Sequence, residues 1–243
     1  MREIRTASFA GHEFKYWSYD VLDIVRVRGW DSMAESARDA AGAAAATSGT
    51  FSDEAEVRER HWRFDPGDEV VDVGPAFGSY ALTAAVQGAQ VTALEPCQFC
   101  AEILDANAGI NPGIARRITL VETGLHEEDG WYDPDADAWH SEKTTPSFLR
   151  VSTMDSMLGG MDRIDMVKLD VEGAEAGVLR GGEKILRRFG PKLLIEEHEF
   201  RRPGIGAECE KILASYGYGP PSSRVKHHGV MHAFYEKIGV RNG

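Results

Sequence analysis

With 243 residues, 42% of them apolar and 27% charged, the chain can bury one substantial core and has the balance of a globular protein. A net charge of -12 and a pI near 5.1 argue against a duplex nucleic-acid binder, which needs a basic footprint. No apolar run is long enough to span a bilayer, charged Arg2, Glu3 and Arg5 follow Met1 without an apolar leader, and Cys97, Cys100 and Cys209 suit a reducing compartment, so a cytoplasmic small-molecule enzyme is expected.

Residues 1–65 differ in character from the rest. Residues 14–30 mix apolar and charged side chains around Val21, Leu22, Ile24 and Val25. The alanine-rich stretch 34–46 has high helix propensity and ends in Thr47-Ser48-Gly49. Asp53 followed by Glu56 reads as a helix start leading into 57–62. The spacing predicts a mostly helical segment that packs on the main domain or covers a substrate pocket.

From Asp65-Pro66-Gly67 onward, short apolar strands alternate with helices, the signature of a parallel sheet, and a second unit spans 66–243. Strands are expected at 69–73, 90–94, 118–122, 164–169 and 192–195, and helices at 80–87, 99–107, 178–189 and 209–216. Residues 231–237 form a last strand that can insert antiparallel at a sheet edge. Residues 125–150 read as an acidic, aromatic insertion, irregular or a hairpin.

The first strand ends in Asp72-Val73-Gly74-Pro75-Ala76-Phe77-Gly78. A strand that ends in glycines and opens into a helix brings backbone N–H groups close to a ligand. A dinucleotide loop wants G-x-G-x-x-G, and here Ser79 stands where its last glycine belongs, which disfavours the alternative of an NAD-dependent oxidoreductase. Glu95 closes the second strand before Pro96, where a carboxylate can accept both ribose hydroxyls in doubly wound folds. Alone it would be a solvated strand-end charge; one βαβ length after such a loop, the functional reading is favoured.

A further run, Asp165-Met166-Val167-Lys168-Leu169-Asp170-Val171-Glu172-Gly173-Ala174-Glu175, continues through Val178, Leu179 and Gly181. Together with 71–78 and Tyr80, Glu95-Pro96, Asn107, Asn111, Thr153-Met154-Asp155 and the P-x-L-L-x-E-x-H element at 191–198, it resembles the FkbM-type S-adenosylmethionine-dependent methyltransferases over about residues 65–200. That resemblance implies an α/β fold: a doubly wound, Rossmann-like class I methyltransferase sheet, mostly parallel with one antiparallel edge strand, beside the helical N-terminal segment. It implies S-adenosylmethionine as cofactor, cradled by Asp72, Gly74, Pro75, Ala76, Gly78 and Tyr80, with Glu95 and Pro96 on the ribose, the adenine near Thr123, Gly124 and Leu125, and Asp170 also in contact with the cofactor. It further implies O-methylation of a small molecule, sugar or glycan, while the acidic charge disfavours a nucleic-acid partner. Pro75-Ala76-Phe77 departs from the family's usual Ala-Asn followed by a small aliphatic residue, so contacts to the amino-acid end of the cofactor are open.

Ligands of open α/β sheets bind outside the carboxyl ends of the strands. Asp170 ends one strand and Glu196, Glu197 and His198 another, so these groups are expected to line the cleft. Methyl transfer to a hydroxyl needs close approach and removal of a proton, for which Asp170 and His198 are the leading catalytic candidates, with Glu196 beside them. Glu172 and Glu175 start a helix and fit capping or a salt bridge at least as well. Lys168 shares the sheet face of Asp170 and needs an acid partner.

Asp170 with Glu196 or Glu197 also offers hard oxygen ligands for Mg²⁺, but acidic strand ends are common without metal, and no metal is assigned. His227, His228 and His232 match no strong metal spacing and read as surface histidines. Cys97 and Cys100 form a lone CxxC, which argues for buried or half-buried thiols over structural zinc. Trp17, Trp30, Trp62, Trp131 and Trp139 offer sugar-stacking walls or core packing. A catalytically inactive Rossmann-like interaction module is the other alternative, against which the retained acids speak.

Overall fold

The computed structural model describes residues 3–18, 55–133, 138–140, 148–227 and 229–238. The alanine-rich helix expected at 34–46, Trp30 and His228 lie outside the described residues, as do the side chains of Trp17, Trp139 and His227. Two antiparallel strands, β1 (Glu3–Phe9) and β2 (His12–Ser18), open the described chain where a helical segment was expected. They are joined at Ala10-Gly11, with φ values of 52° and 82°, and bury alternate residues Phe14 and Tyr16 of β2. Helix α1 (Ala55–His61) falls where Asp53 and Glu56 place a helix start.

The main unit follows as β3 (Glu69–Val73), α2 (Ser79–Val86), β4 (Gln90–Leu94), α3 (Gln98–Gly109), α4 (Pro112–Ala115) and β5 (Ile118–Val121). Strands β6 (Gly124–Leu125), β7 (Gly130–Asp133), β8 (Ala138–His140) and β9 (Leu149–Ser152) come next, then α5 (Met154–Leu158) and β10 (Met166–Leu169). The chain closes with α6 (Glu175–Arg180), α7 (Glu183–Phe189), β11 (Lys192–Glu197), α8 (Ile205–Ser215), β12 (Ser223–His227) and β13 (Val230–Tyr235).

Seven strands form the central sheet in the order β12-β13-β11-β10-β3-β4-β5. β5, β4, β3, β10 and β11 are parallel, and Val70, Val71, Val73, Val167 and Leu169 are all buried, as expected of strands covered on both faces. The expectation of one antiparallel edge strand needs a correction. β13 does run antiparallel to β11, but β12 pairs with β13 and takes the edge. Its short, charged sequence SRVKH carries little apolar signal and suits an exposed edge.

The chain moves outward from β3 to β5 and then crosses back to β10, so its winding reverses between β3 and β10. Such a switch point opens a crevice at the carboxyl ends of the two strands. The helix expected at 178–189 is two helices, α6 and α7, broken at Gly181-Gly182. A Cβ on Gly181 would lie 2.1 Å from the His126 carbonyl oxygen, so the pair admits the neighbouring segment's backbone. That segment, expected to be irregular or a hairpin, contributes to a second sheet of order β6-β9-β7-β8. Among the described residues, no helix is long and apolar enough to cross a membrane.

Candidate active site

The loop after β3 is shaped by its glycines. Gly74 has φ 75°, and a Cβ there would stand 1.8 Å from the carbonyl oxygen of Asp170. Only a residue without a side chain lets the β3 loop meet the end of β10 so closely. Gly78, with φ 93°, faces Leu104 of α3, whose Cγ would lie 2.9 Å from an added Cβ. Ala76 also adopts positive φ, 47°, a conformation that costs a non-glycine residue roughly 1 kcal/mol or more. Its N–H donates to Glu95 Oε2 at 3.0 Å, while the N–H of Cys97 donates to Glu95 Oε1 at 2.9 Å. Glu95 thus ties the loop to the end of β4. Burial pushes its pKa up to about 7, against the pull of those two N–H groups.

A cavity of about 390 Å³ lies at this end of the sheet. It is lined by Gly74, Ala76, Glu95 and Pro96, by Gly124 and Leu125, and by Asp170 and Glu172. Beside Gly124 and Leu125, the second sheet contributes Tyr132, Leu149 and Val151 to the lining, and Arg201 lines it as well. These last four were not foreseen. The aromatic character of 125–150 was visible in the sequence, but not which of its residues face inward.

The remaining expected residues stand behind or beside this lining. Asp72 and Tyr80 are buried below it, and Lys168 lies between them, its Nζ 4.0 Å from Asp72 Oδ1 and 4.6 Å from the centre of the Tyr80 ring. Tyr80 is itself held by Trp62, whose indole N–H donates to the Tyr80 carbonyl at 3.1 Å and whose ring meets the phenol edge-on. Lys168 Nζ donates to Asp170 Oδ2 at 3.0 Å and lies 3.4 Å from Glu196 Oε1, so the strand lysine has the acid partners expected of it. Pro75 and Gly78 shape the loop without lining the cavity. Thr123 is buried beside Gly124.

His198 sits at the end of β11, sealed from solvent. Its Nδ1 is 2.7 Å from Glu175 Oε1 and 3.0 Å from the Glu196 carbonyl oxygen, and its Nε2 lies 3.6 Å from Asp170 Oδ1 and 3.7 Å from Glu172 Oε2. Burial alone would depress its pKa, but the Glu175 hydrogen bond and the charges of Asp170, Glu172 and Glu175 push it up to about 9. At neutral pH the ring is therefore an imidazolium whose Nδ1–H donates to Glu175. Burial raises the pKa of Asp170, yet the charges of Lys168 and His198 outweigh it and hold the group below the usual aspartate value.

Two expectations change. Glu197 points to the other face of β11, as its position next to Glu196 dictates, and accepts from Tyr235 Oη at 3.1 Å and Arg224 Nη2 at 3.3 Å. His232, read as a surface residue, is buried on β13 with Nδ1 3.9 Å from Glu196 Oε1.

A switch-point crevice holding a glycine loop, a buried acid at the next strand end and a second acid across from it defines the class I methyltransferase form of the doubly wound fold. Residues 72–220, more than half of the chain, match the methyltransferase FkbM domain, and the chain belongs to that family. The structure is similar to that of methyltransferase FkbM from Methylobacillus flagellatus KT, with a TM-score of 0.57 at 20% identity, covering 73% of this chain and 46% of that one. The chain thus spans less than half the length of that protein. It is also similar to precorrin-6y C5,15-methyltransferase from Geobacter metallireducens GS-15 (TM-score 0.51, 14% identity, 75% and 87% of the two chains). A conserved hypothetical protein of Streptococcus pyogenes matches with TM-score 0.52 and 14% identity over 78% and 97% of the two chains. At these identities the likeness is one of fold. No curated protein matches the sequence.

Proposed function

We propose that the protein is an S-adenosylmethionine-dependent O-methyltransferase acting on a hydroxyl of a small molecule, sugar or glycan. The observation that carries this reading is the meeting of Gly74, Glu95 and Asp170 at one cavity of about 390 Å³, a size suited to a small-molecule ligand. The residues fit the cofactor: Gly74 offers bare backbone, and Glu95 retains lone pairs for ribose hydroxyls beyond the two N–H groups it already accepts. Pro96, Gly124 and Leu125 also line the cavity and offer apolar surface for the adenine. When bound, S-adenosylmethionine supplies an electrophilic methyl group.

Of the three catalytic candidates, Asp170 suits the proton-accepting role. It lines the cavity and its side chain is 25% exposed, whereas His198 lies behind it and carries its own proton at neutral pH. His198 and Lys168 keep Asp170 ionised, and Glu196 holds Lys168 in place. This network also bears on the metal. A Mg²⁺ between Asp170 and Glu196 would compete with the Lys168 ammonium, which already stands within 3.4 Å of both, so the charge balance there favours lysine over a metal. The glycine-loop spacing and the family keep the nicotinamide alternative disfavoured.

The reading is tested by supplying ¹³C-methyl-labelled S-adenosylmethionine with a panel of hydroxylated metabolites and oligosaccharides. Carbon NMR of the product separates oxygen from nitrogen or sulfur methylation. Turnover that is lost in Asp170→Asn is expected; full activity of that variant would remove Asp170 from the proton-accepting role.

A further inference from the structure

The sequence shows a lone CxxC without a second ligand pair, and the fold supplies what the sequence lacks. A carboxylate oxygen of Glu95 and the Sγ atoms of Cys97 and Cys100 all lie within 4.8 Å of one another. All three residues line the cofactor cavity, and neither cysteine is in a disulfide. We propose that Glu95, Cys97 and Cys100 form a binding site for a thiophilic divalent cation of the Zn²⁺ class, opening into that cavity.

The donor chemistry selects the ion. Two thiolates and one carboxylate suit Zn²⁺, whereas Mg²⁺ and Ca²⁺ take oxygen ligands. Sulfur donors on a tetrahedral Zn²⁺ stand about 3.8 Å apart at a Zn–S distance of about 2.3 Å. The three donor atoms, within 4.8 Å of one another, therefore stand near that spacing. Three protein ligands leave the fourth position for water on the cavity side, the arrangement of open zinc sites.

The start of α3 favours the thiolate forms of the two sulfur ligands. Cys97 is the N-cap of α3 and Cys100 lies in its first turn, where backbone N–H groups and the helix dipole stabilise a thiolate. Each oxygen of Glu95 accepts one backbone N–H, from Ala76 and Cys97, and a second lone pair on each remains for a cation. A cation there also offsets the cost of burying this carboxylate, which is 6% exposed.

If Glu95 holds the cofactor ribose, a claim that rests on the proposed methyltransferase reading, then metal and cofactor compete for one carboxylate. Zn²⁺ at this site is an inhibitor of cofactor binding.

Co²⁺ titrated into the reduced full-length protein tests the site without any assay of activity. Thiolate-to-cobalt charge-transfer bands and intense tetrahedral visible bands are expected at one equivalent and should vanish on adding Zn²⁺. Cys97→Ser and Cys100→Ser, each shown to unfold thermally as the parent does, should abolish the charge-transfer bands, and Glu95→Gln should weaken Co²⁺ binding at least tenfold. Absence of the bands in the parent, their survival in either serine variant, or undiminished affinity in Glu95→Gln would overturn the site. S-adenosylhomocysteine should then displace the bound Co²⁺. Bands that persist while this ligand binds the metal-free protein overturn the competition. If the ligand fails to bind even metal-free protein, the methyltransferase reading fails and the metal site stands on its spectrum.

Discussion

Glu175 and His198 are joined at 2.7 Å in a part of the molecule sealed from solvent, with the Gly173 N–H donating to the same glutamate oxygen at 3.1 Å. This contact decides the protonation of His198 and, through it, the charge around Asp170. Glu175 is a positioning residue: it does not line the cavity and acts through the imidazolium.

Glu175→Gln preserves shape and removes the charge. The His198 pKa, about 9 in the parent, should fall toward the ordinary histidine value, read by NMR of the ring protons. Stability follows by linkage. A histidine whose folded pKa is raised above 6.5 contributes fully below pH 6.5, and that contribution is lost as pH climbs through about 9. Urea unfolding of the parent should therefore lose on the order of 3 kcal/mol across that window, and the variant much less. Equal slopes in the two proteins would contradict the assignment.

Gly74→Ala should be among the most damaging substitutions outside the apolar core. It places a Cβ 1.8 Å from the Asp170 carbonyl oxygen at φ 75°, so the β3 loop must move off β10. A loss of at least about 3 kcal/mol is expected by urea unfolding. Gly67→Ala is the control. Its φ is 93° but nothing lies within 4 Å of an added Cβ, so about 1 kcal/mol of backbone strain is all it should lose.

Lys168→Met removes the ammonium that stands within 4.0 Å of Asp72, Asp170 and Glu196. Breaking a buried ion cluster by deleting one partner typically costs about 3–5 kcal/mol. Thermal unfolding at pH 7 should register the loss. Part of it should return at lower pH, where protonation of the carboxylates reduces the negative charge that Lys168 no longer offsets. A variant as stable as the parent at pH 7 would show that the cluster is held by other means.

Much of this arrangement is legible in the sequence because it rests on local order. Asp72 to Gly78, Glu95 and Asp170 each sit at a strand end, and strand ends follow from apolar runs and their glycines. Glu196 and Glu197 could have been assigned to opposite faces from the two-residue period alone. The reading fails where partners are distant. Gly124 pairs with Val151 in the second sheet, and no local period announces that ladder. The β1–β2 hairpin turns on Ala10-Gly11, which lacks the usual Asn-Gly signal. His198 looks like a base until Glu175, 23 residues earlier, is found bonded to it.

Glu95 gives a prediction in pH. Burial holds its pKa near 7, so the carboxylate that would accept the ribose hydroxyls is half protonated at neutrality. Affinity for S-adenosylhomocysteine should rise between pH 6 and pH 8 with a midpoint near 7, and this rise should disappear in Glu95→Gln. A pH-independent parent would remove Glu95 from the ribose contact.

The central claim is that the cavity bounded by Gly74, Glu95 and Asp170 is a site for S-adenosylmethionine. Isothermal titration of the full chain at pH 8 with S-adenosylhomocysteine addresses it directly. The account predicts one ligand per chain with at least a tenfold weaker Kd in Glu95→Ala; no heat of binding up to high micromolar ligand would contradict it.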